Sequence, residues 1–179
     1  MPKVIENLQE TLISKAKSIL FTKGYDALTI RGVAKECGIA IGTVYNYFTS
    51  KDEMTASVML EDWQRMLNSV SGKIKKSNSA EKALTLLYEG ILKFNKTYHF
   101  IWKGYVMKES DTVAYKKRHQ LLIEQISACV QQVFDLYPPV NTVDQADVFL
   151  AENILIASRN SSLHFLSVLK IAMNVLYRK

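Results

Sequence analysis

Proline and glycine are scarce in this chain. Three prolines and seven glycines among 179 residues leave long stretches that nothing interrupts, so long helices and an all-α fold are expected. Cysteine is scarcer still. Cys37 and Cys129 stand far apart, with no CxxC spacing and no Cys/His cluster. That argues against a structural zinc site or a disulfide framework and leaves two free, buried thiols in a reducing compartment as the expectation. No uncharged apolar run reaches the roughly 18 residues that a membrane span needs. The opening Met1-Pro2-Lys3-Val4 leads into no apolar core of a signal peptide, so a cytoplasmic protein is expected. Catalytic constellations are missing too: no P-loop, no glycine-rich dinucleotide turn, no Ser/His/Asp order and no paired-carboxylate motif. The chain therefore reads as a non-enzyme with no cofactor. His99, His119 and His164 lack metal-ligand spacing, so no metal is expected, and His119 reads as a satisfied core histidine.

What is present is an ordinary globular composition with a basic balance. Hydrophobic residues make up 48% and charged residues 22%, with a net charge of +6. A basic chain suits nucleic acid or acidic surfaces. The charge is spread evenly, at +3 for residues 1–76 (11 Lys/Arg against 8 Asp/Glu) and +3 for 77–179 (12 against 9). Charge alone therefore does not locate a DNA-binding domain.

Apolar periodicity supplies the organisation. Leu8, Leu12, Ile13, Ala16, Ile19 and Leu20, with Ile5 before them, mark one face of a helix that Gly24 ends. Thr29 is placed to cap a short helix over Ile30–Glu36. Gly38 makes a turn, and Ala40–Phe48 reads as a second short helix. Ser50 and Glu53 form a capping box that opens a long helix through Met54, Val58, Trp63, Met66, Val70 and Ile74. The polar run Lys73–Ser79 links two regions. Helices then follow over about Ala80–Tyr98, Phe100–Lys108 and Thr112–Leu136. Pro138-Pro139 stops the last of these. Thr142 and Gln145 form a second capping box, opening a helix toward Arg159, and a final helix runs to Tyr177 after a break near Arg159–Ser162. The expected domains are 1–50, a connecting helix over 51–76, and a helical unit over 77–179.

Residues 29–51 carry the functional signal. Ala34 is a small crossing contact, Gly38 supplies the turn, and Ile39, Val44 and Phe48 fill the underside, which is the logic of a helix-turn-helix. At about 100° per residue, with Val44 inward, Gly42 and Asn46 fall at the opposite pole and Thr43, Tyr45 and Tyr47 on the flanks. An eight-residue helix, about 12 Å long, matches the major groove. Gly42 permits close approach to a duplex. Thr43 and the phenols of Tyr45 and Tyr47 can reach phosphates or base edges. Lys51 opens the next helix, where its ammonium and free backbone N–H groups both favour a phosphate. Taken singly, Tyr45 or Tyr47 reads better as a packing residue and Lys51 as merely solvated; their joint spacing around Ala34, Gly38 and Phe48 decides for DNA.

Gly24-Tyr25, Leu28-Thr29-Ile30, Val33-Ala34-Lys35-Glu36-Cys37-Gly38-Ile39, Gly42-Thr43-Val44-Tyr45-Asn46-Tyr47-Phe48 and Ser50-Lys51-Asp52-Glu53 together resemble the signature of the TetR family. The likeness is close over about Thr11–Val58; beyond it only a helical architecture agrees. The resemblance implies an N-terminal helix-turn-helix DNA-binding domain and a C-terminal helical ligand-binding and dimerisation domain. It implies a homodimer that binds double-stranded DNA at a palindromic operator, usually as a repressor released by a small ligand. By position, Thr29, Arg31, Ile41, Gly42, Thr43, Tyr45, Tyr47 and Lys51 fall where family members contact DNA. Ala40 stands where a capping Ser is common, and Ile41 where relatives often carry a polar or basic residue. Arg31 is then the best candidate for a bidentate contact to guanine, and Ile41 for a thymine methyl.

In the C-terminal region, the helices after Pro139 are apolar on more than one face, from Val148 to Ala157 and from Leu163 to Leu176. That exceeds what a one-sided helix buries and points to a second partner surface; the alternative is a helix central to its own domain. Aromatics gather between Tyr88 and Tyr115, either as core packing or as a pocket for a hydrophobic or aromatic effector. Trp63, Tyr98 and Trp102 are the candidates for its wall. The helix beginning at Lys51 is the expected lever between effector and DNA. A DNA-binding architectural or cell-division protein of the same fold, with no inducer, is the alternative function.

Overall fold

The computed structural model describes residues 7–105, 112–159 and 165–178, and the side chains of 102–105 and 112–115 are not among those described. Trp102 as a side chain, Ile5, and most of the expected break at Arg159–Ser162 therefore lie outside the described residues. Within them the secondary structure is helical throughout: α1 (Leu8–Lys23), α2 (Ile30–Cys37), α3 (Ile41–Tyr45), α4 (Lys51–Ile74), α5 (Ala80–Tyr105), α6 (Thr112–Leu136), α7 (Ala146–Arg159) and α8 (Phe165–Tyr177).

The helix ends follow their local chemistry. Gly24 closes α1 at φ +84°, and its N–H donates to the Leu20 carbonyl. Thr29 caps α2, its hydroxyl accepting from the Gly32 N–H at 2.9 Å. Gly38 ends α2 in the left-handed region at φ +66°, a conformation that costs an L side chain energy and glycine nothing.

Three expectations about the helices need correction. The helices expected over Ala80–Tyr98 and Phe100–Lys108 are one continuous helix as far as Tyr105, α5, and residues 106–108 lie outside the described residues. No glycine or proline lies between Lys96 and Trp102, so nothing breaks the backbone hydrogen bonds there. The second capping box does not form: α7 begins at Ala146, after Gln145 turns at φ +54°. The third concerns α3, which is shorter than eight residues for reasons given below.

The chain packs as two compact units, and they do not follow chain order. One takes the described residues of 1–63 and 98–109; the other takes those of 64–97 and 110–179. Helices α4 and α5 each contribute to both. In the first unit Leu12, Ala16 and Leu20 of α1 are buried with Leu28, Val33, Val44, Phe48, Met54, Val58 and Ile101. A polar link ties three of its helices. The Asp62 carboxylate of α4 accepts from Lys17 Nζ of α1 at 2.5 Å and from the Tyr98 hydroxyl of α5 at 2.6 Å.

The second unit buries Leu84, Leu87 and Ile91 of α5, Ile126, Val130 and Val133 of α6, and Leu150, Ala151, Ile154 and Leu155 of α7. Gly90 sets the distance between α4 and α5. A Cβ at that position would lie 2.6 Å from Cγ2 of Val70 and 3.1 Å from Sδ of Met66, so only glycine fits without displacing a stiff β-branched neighbour. His119 is half-buried, not a core residue, because its Nε2 lies 3.1 Å from the Glu152 carboxylate. That pair needs access to water, which a core position would deny.

The end of α8 is closed from a distance. The backbone N–H groups of Val140 and Asn141 both donate to the Leu176 carbonyl, at 2.8 and 3.1 Å. The Asn141 amide donates to the carbonyls of Val175 and Arg178, each at 2.8 Å. Carbonyls that the last helical turn leaves without intrahelical partners are thus satisfied by the loop after Pro138-Pro139.

Candidate nucleic-acid interface

Helix α3 presents the face that the sequence singled out. Val44 is fully buried and Phe48 nearly so, and these two anchor the helix to its unit. Away from them Ile41, Gly42, Tyr45, Asn46 and Tyr47 are exposed, and Thr43 is half-buried. Tyr45 keeps 51% of its surface in water, a large aromatic area that the unit's own core does not use. Gly42 has open space around it: a Cβ there would meet no atom within 4 Å. Nothing inside the unit demands glycine at this position.

The regular helix covers only Ile41–Tyr45, so the length match of eight residues to the groove does not hold. At its start Ala40 offers no side-chain cap. At its end the N–H groups of Tyr47 and Phe48 both donate to the Val44 carbonyl, at 3.0 Å each. This tightened turn carries Phe48 into the core and delivers the chain to the cap of α4. There the Ser50 hydroxyl accepts from the Glu53 N–H at 3.1 Å, which is one arm of the expected box. The other arm lands one residue earlier. The Glu53 carboxylate accepts from both the backbone N–H and the hydroxyl of Thr49, at 2.6 and 2.7 Å. Those two bonds hold the Glu53 carboxyl below its ordinary value, because they favour its charged form.

Thr29 and Arg31 lie exposed at the start of α2. Gly32 is required there by its neighbour, since a Cβ would press on the Thr29 hydroxyl at 2.9 Å. Lys51 is neither free nor merely solvated. It is half-buried, with Nζ 3.4 Å from the Tyr25 carbonyl oxygen and 4.1 Å above the centre of the Tyr25 ring. The Tyr25 hydroxyl donates to the carboxylate of Asp52. Neither Tyr25 nor Asp52 was assigned a role from sequence. Only the meeting of the α1–α2 loop with the start of α4 makes one visible.

The candidates for an effector wall lie elsewhere in the chain. Trp63 and Tyr98 are buried in the first unit, at 4% and 1% exposure. The Tyr98 ring packs edge-on against Phe21, with centroids 5.5 Å apart. In the second unit an open groove on α5 is lined by Glu89, Leu92, Lys93, Lys96 and Thr97. Cys129 is buried as expected, whereas Cys37 is half-buried. Burial pushes both thiols up, which disfavours the reactive thiolate. Among the described residues no group of three His, Cys, Asp or Glu could hold a metal ion, and no helix is long and apolar enough to cross a membrane.

Known proteins share these features. The signature of the bacterial regulatory proteins of the tetR family matches residues 12–58. The HTH-type transcriptional regulator YuxN of Bacillus subtilis is 32% identical over 88 residues, covering 47% of this chain and 30% of that protein. The regulator UidR of Escherichia coli is 22% identical over 139 residues, covering 73% of this chain and 70% of its own. Among solved structures, the transcriptional regulator FadR of Bacillus subtilis in complex with stearoyl-CoA superposes with a TM-score of 0.58. It is 19% identical and covers 94% of this chain and all of that one. At that identity the likeness speaks for the fold. The short α2–Gly38–α3 turn lies within that signature, so residues 12–58 carry the helix-turn-helix DNA-binding domain of the tetR family of bacterial regulatory proteins, on a helical fold shared with such regulators along nearly the whole length of the chain.

Proposed function

We propose that the chain is a cytoplasmic repressor, not an enzyme, that binds a palindromic operator as a homodimer and is released by a small ligand. The observation that carries the reading is the α3 face. It exposes a glycine that the unit does not need, with two phenols beside it. Thr29, Thr43, Tyr45, Tyr47 and Lys51 are assigned to the DNA backbone, where hydroxyls and an ammonium suit phosphate oxygens. Arg31 reads a guanine, Ile41 touches a thymine methyl, and Gly42 lets the helix approach the base pairs.

The homodimer is supported by the outer faces of α7 and α8. Phe149, Ile156, Leu166, Ile171 and Val175 are exposed there, and a two-fold interface buries the same patch twice. The effector is a hydrophobic molecule. Because a fold neighbour was solved with stearoyl-CoA, long-chain acyl-CoA is the first class to try. Lys93 and Lys96 beside Leu92 would suit its anionic and apolar parts. Release requires a ligand that prefers the DNA-incompetent state, since equal affinity for both states shifts nothing.

A second reading, a regulator or architectural protein of the same fold without an inducer, is favoured by the packed surroundings of Trp63 and Tyr98. Selection of bound fragments from genomic DNA tests the first claim. A two-fold symmetric site is expected, and asymmetric or absent enrichment refutes it. Titrating stearoyl-CoA and a panel of aromatic compounds into the protein–DNA complex separates the two readings. Release by one of them supports the first, and no release together with no thermal shift supports the second.

A further inference from the structure

One tyrosine grips two successive charged residues at the start of α4. The Tyr25 ring lies under the Lys51 ammonium at 4.1 Å, its carbonyl oxygen faces the same nitrogen at 3.4 Å, and its hydroxyl donates to Asp52. Tyr25 itself is 5% exposed, so it cannot reach a duplex directly. Its ring face and carbonyl both present partial negative charge to the ammonium, and its buried position fixes where they point.

We propose that Tyr25 is a positioning residue for DNA binding. It holds the flexible Lys51 side chain in one place before DNA arrives, so that less rotamer freedom is lost when the ammonium meets a phosphate. The proposal rests on reading Lys51 as a phosphate contact. Lysine carries a long stem with many rotamers, and immobilising such a side chain on binding has a cost that prior ordering removes. The hydroxyl bond to Asp52 contributes by a second route. It commits a carboxylate that would otherwise stand beside Lys51 and compete with phosphate for the ammonium.

The experiment measures operator affinity against salt for Lys51→Ala, Tyr25→Leu, Tyr25→Phe and the double variant Tyr25→Leu/Lys51→Ala. Lys51→Ala is expected to reduce the salt slope by about one. Tyr25→Leu is expected to weaken binding roughly two- to tenfold at fixed salt, and this loss should vanish when Lys51 is already alanine. Tyr25→Phe, which keeps the ring, should lose less than Tyr25→Leu. A Tyr25→Leu loss that persists undiminished in the Lys51→Ala background marks a purely structural residue and overturns the proposal, as does no loss at all. An unchanged salt slope in Lys51→Ala overturns the phosphate reading itself. Should Tyr25→Leu fail to fold, the unaltered protein still decides. The ε-methylene protons of Lys51 should be shifted upfield by the ring in NMR spectra, and shifts of an unstructured lysine refute the positioning.

Discussion

The face of α3 and the outer faces of α7 and α8 both leave large side chains in water, but not of the same kind. On α3 and the turn that follows it the exposed area belongs largely to Tyr45 and Tyr47, whose phenols keep a hydrogen-bonding group at the tip. On α7 and α8 it belongs to Phe149, Ile156, Leu166 and Ile171, with Leu166 73% and Ile171 60% exposed. Those side chains gain nothing from water and about 25 cal/mol per Å² from losing it. Amphipathic exposure suits a wet, charged partner such as a duplex; aliphatic exposure suits a dry partner such as a second copy of the same helices. One chain thus carries two uncovered surfaces whose chemistry sorts them by partner.

Salt should separate the two surfaces most sharply. Raising it from 50 to 200 mM is expected to weaken DNA binding roughly a thousandfold or more, if about six phosphates are contacted. Dimerisation through aliphatic faces should change little over that range. Gel shift and sedimentation at matched salt measure both, and parallel losses would erase the distinction. Next in size, Leu166→Glu with Ile171→Glu places charges on the dry surface, and burying such charges unpaired costs about 3–5 kcal/mol. Monomers should appear at micromolar concentration while thermal stability is largely kept. Leu155 and Leu169 would be poor probes, because both are already buried within their own unit and their loss would unfold it. Arg31→Ala should cost about 1–3 kcal/mol and relax preference at one base pair in each half-site, read by binding to a set of single-base variants. A loss uniform across sequences would make Arg31 a backbone contact.

The smallest effect concerns pH. The Glu53 carboxyl is held below its ordinary value of 4.5 by its two bonds to Thr49, so its contribution is complete above the ordinary carboxylate range. That contribution is lost as pH falls through the lowered value. Between pH 6 and pH 3 the melting temperature of the unaltered protein should therefore drop slightly more than that of Glu53→Gln. Equal slopes would show that Glu53 does not cap α4 in solution.

How much of this was legible in the sequence depended on the distance between partners. Thr29 as a cap, Gly38 as a turn and Ser50 as the cap of α4 act within four residues, so their roles follow from spacing alone. The ends of α4 and α6 were equally plain, since Pro138-Pro139 and a polar run mark them. Other features needed a partner far along the chain. The late start of α7 depends on the turn at Gln145 and on Asp147, which accepts from Ser127. Lys51 could not be known to rest on Tyr25, 26 residues earlier, from periodicity or from caps. Glu53 missed its expected partner by one residue because Thr49 offers it both an amide and a hydroxyl donor, whereas the Ser50 hydroxyl is already engaged with the Glu53 N–H.

The loop that closes α8 gives that helix an internal reporter. The amides of Val140 and Asn141 lie outside any helix, yet both bond to the Leu176 carbonyl, so they exchange with deuterium only when the end of α8 lets go. Their protection measures docking of α8 through nuclei that belong to neither α8 nor its outer face. Followed across protein concentration, it tells whether α8 is already seated in a lone chain or settles only when a partner arrives. Slow exchange that does not vary with dilution would mean that the aliphatic stripe is presented ready-made; exchange that quickens on dilution would mean that association and local folding are one event.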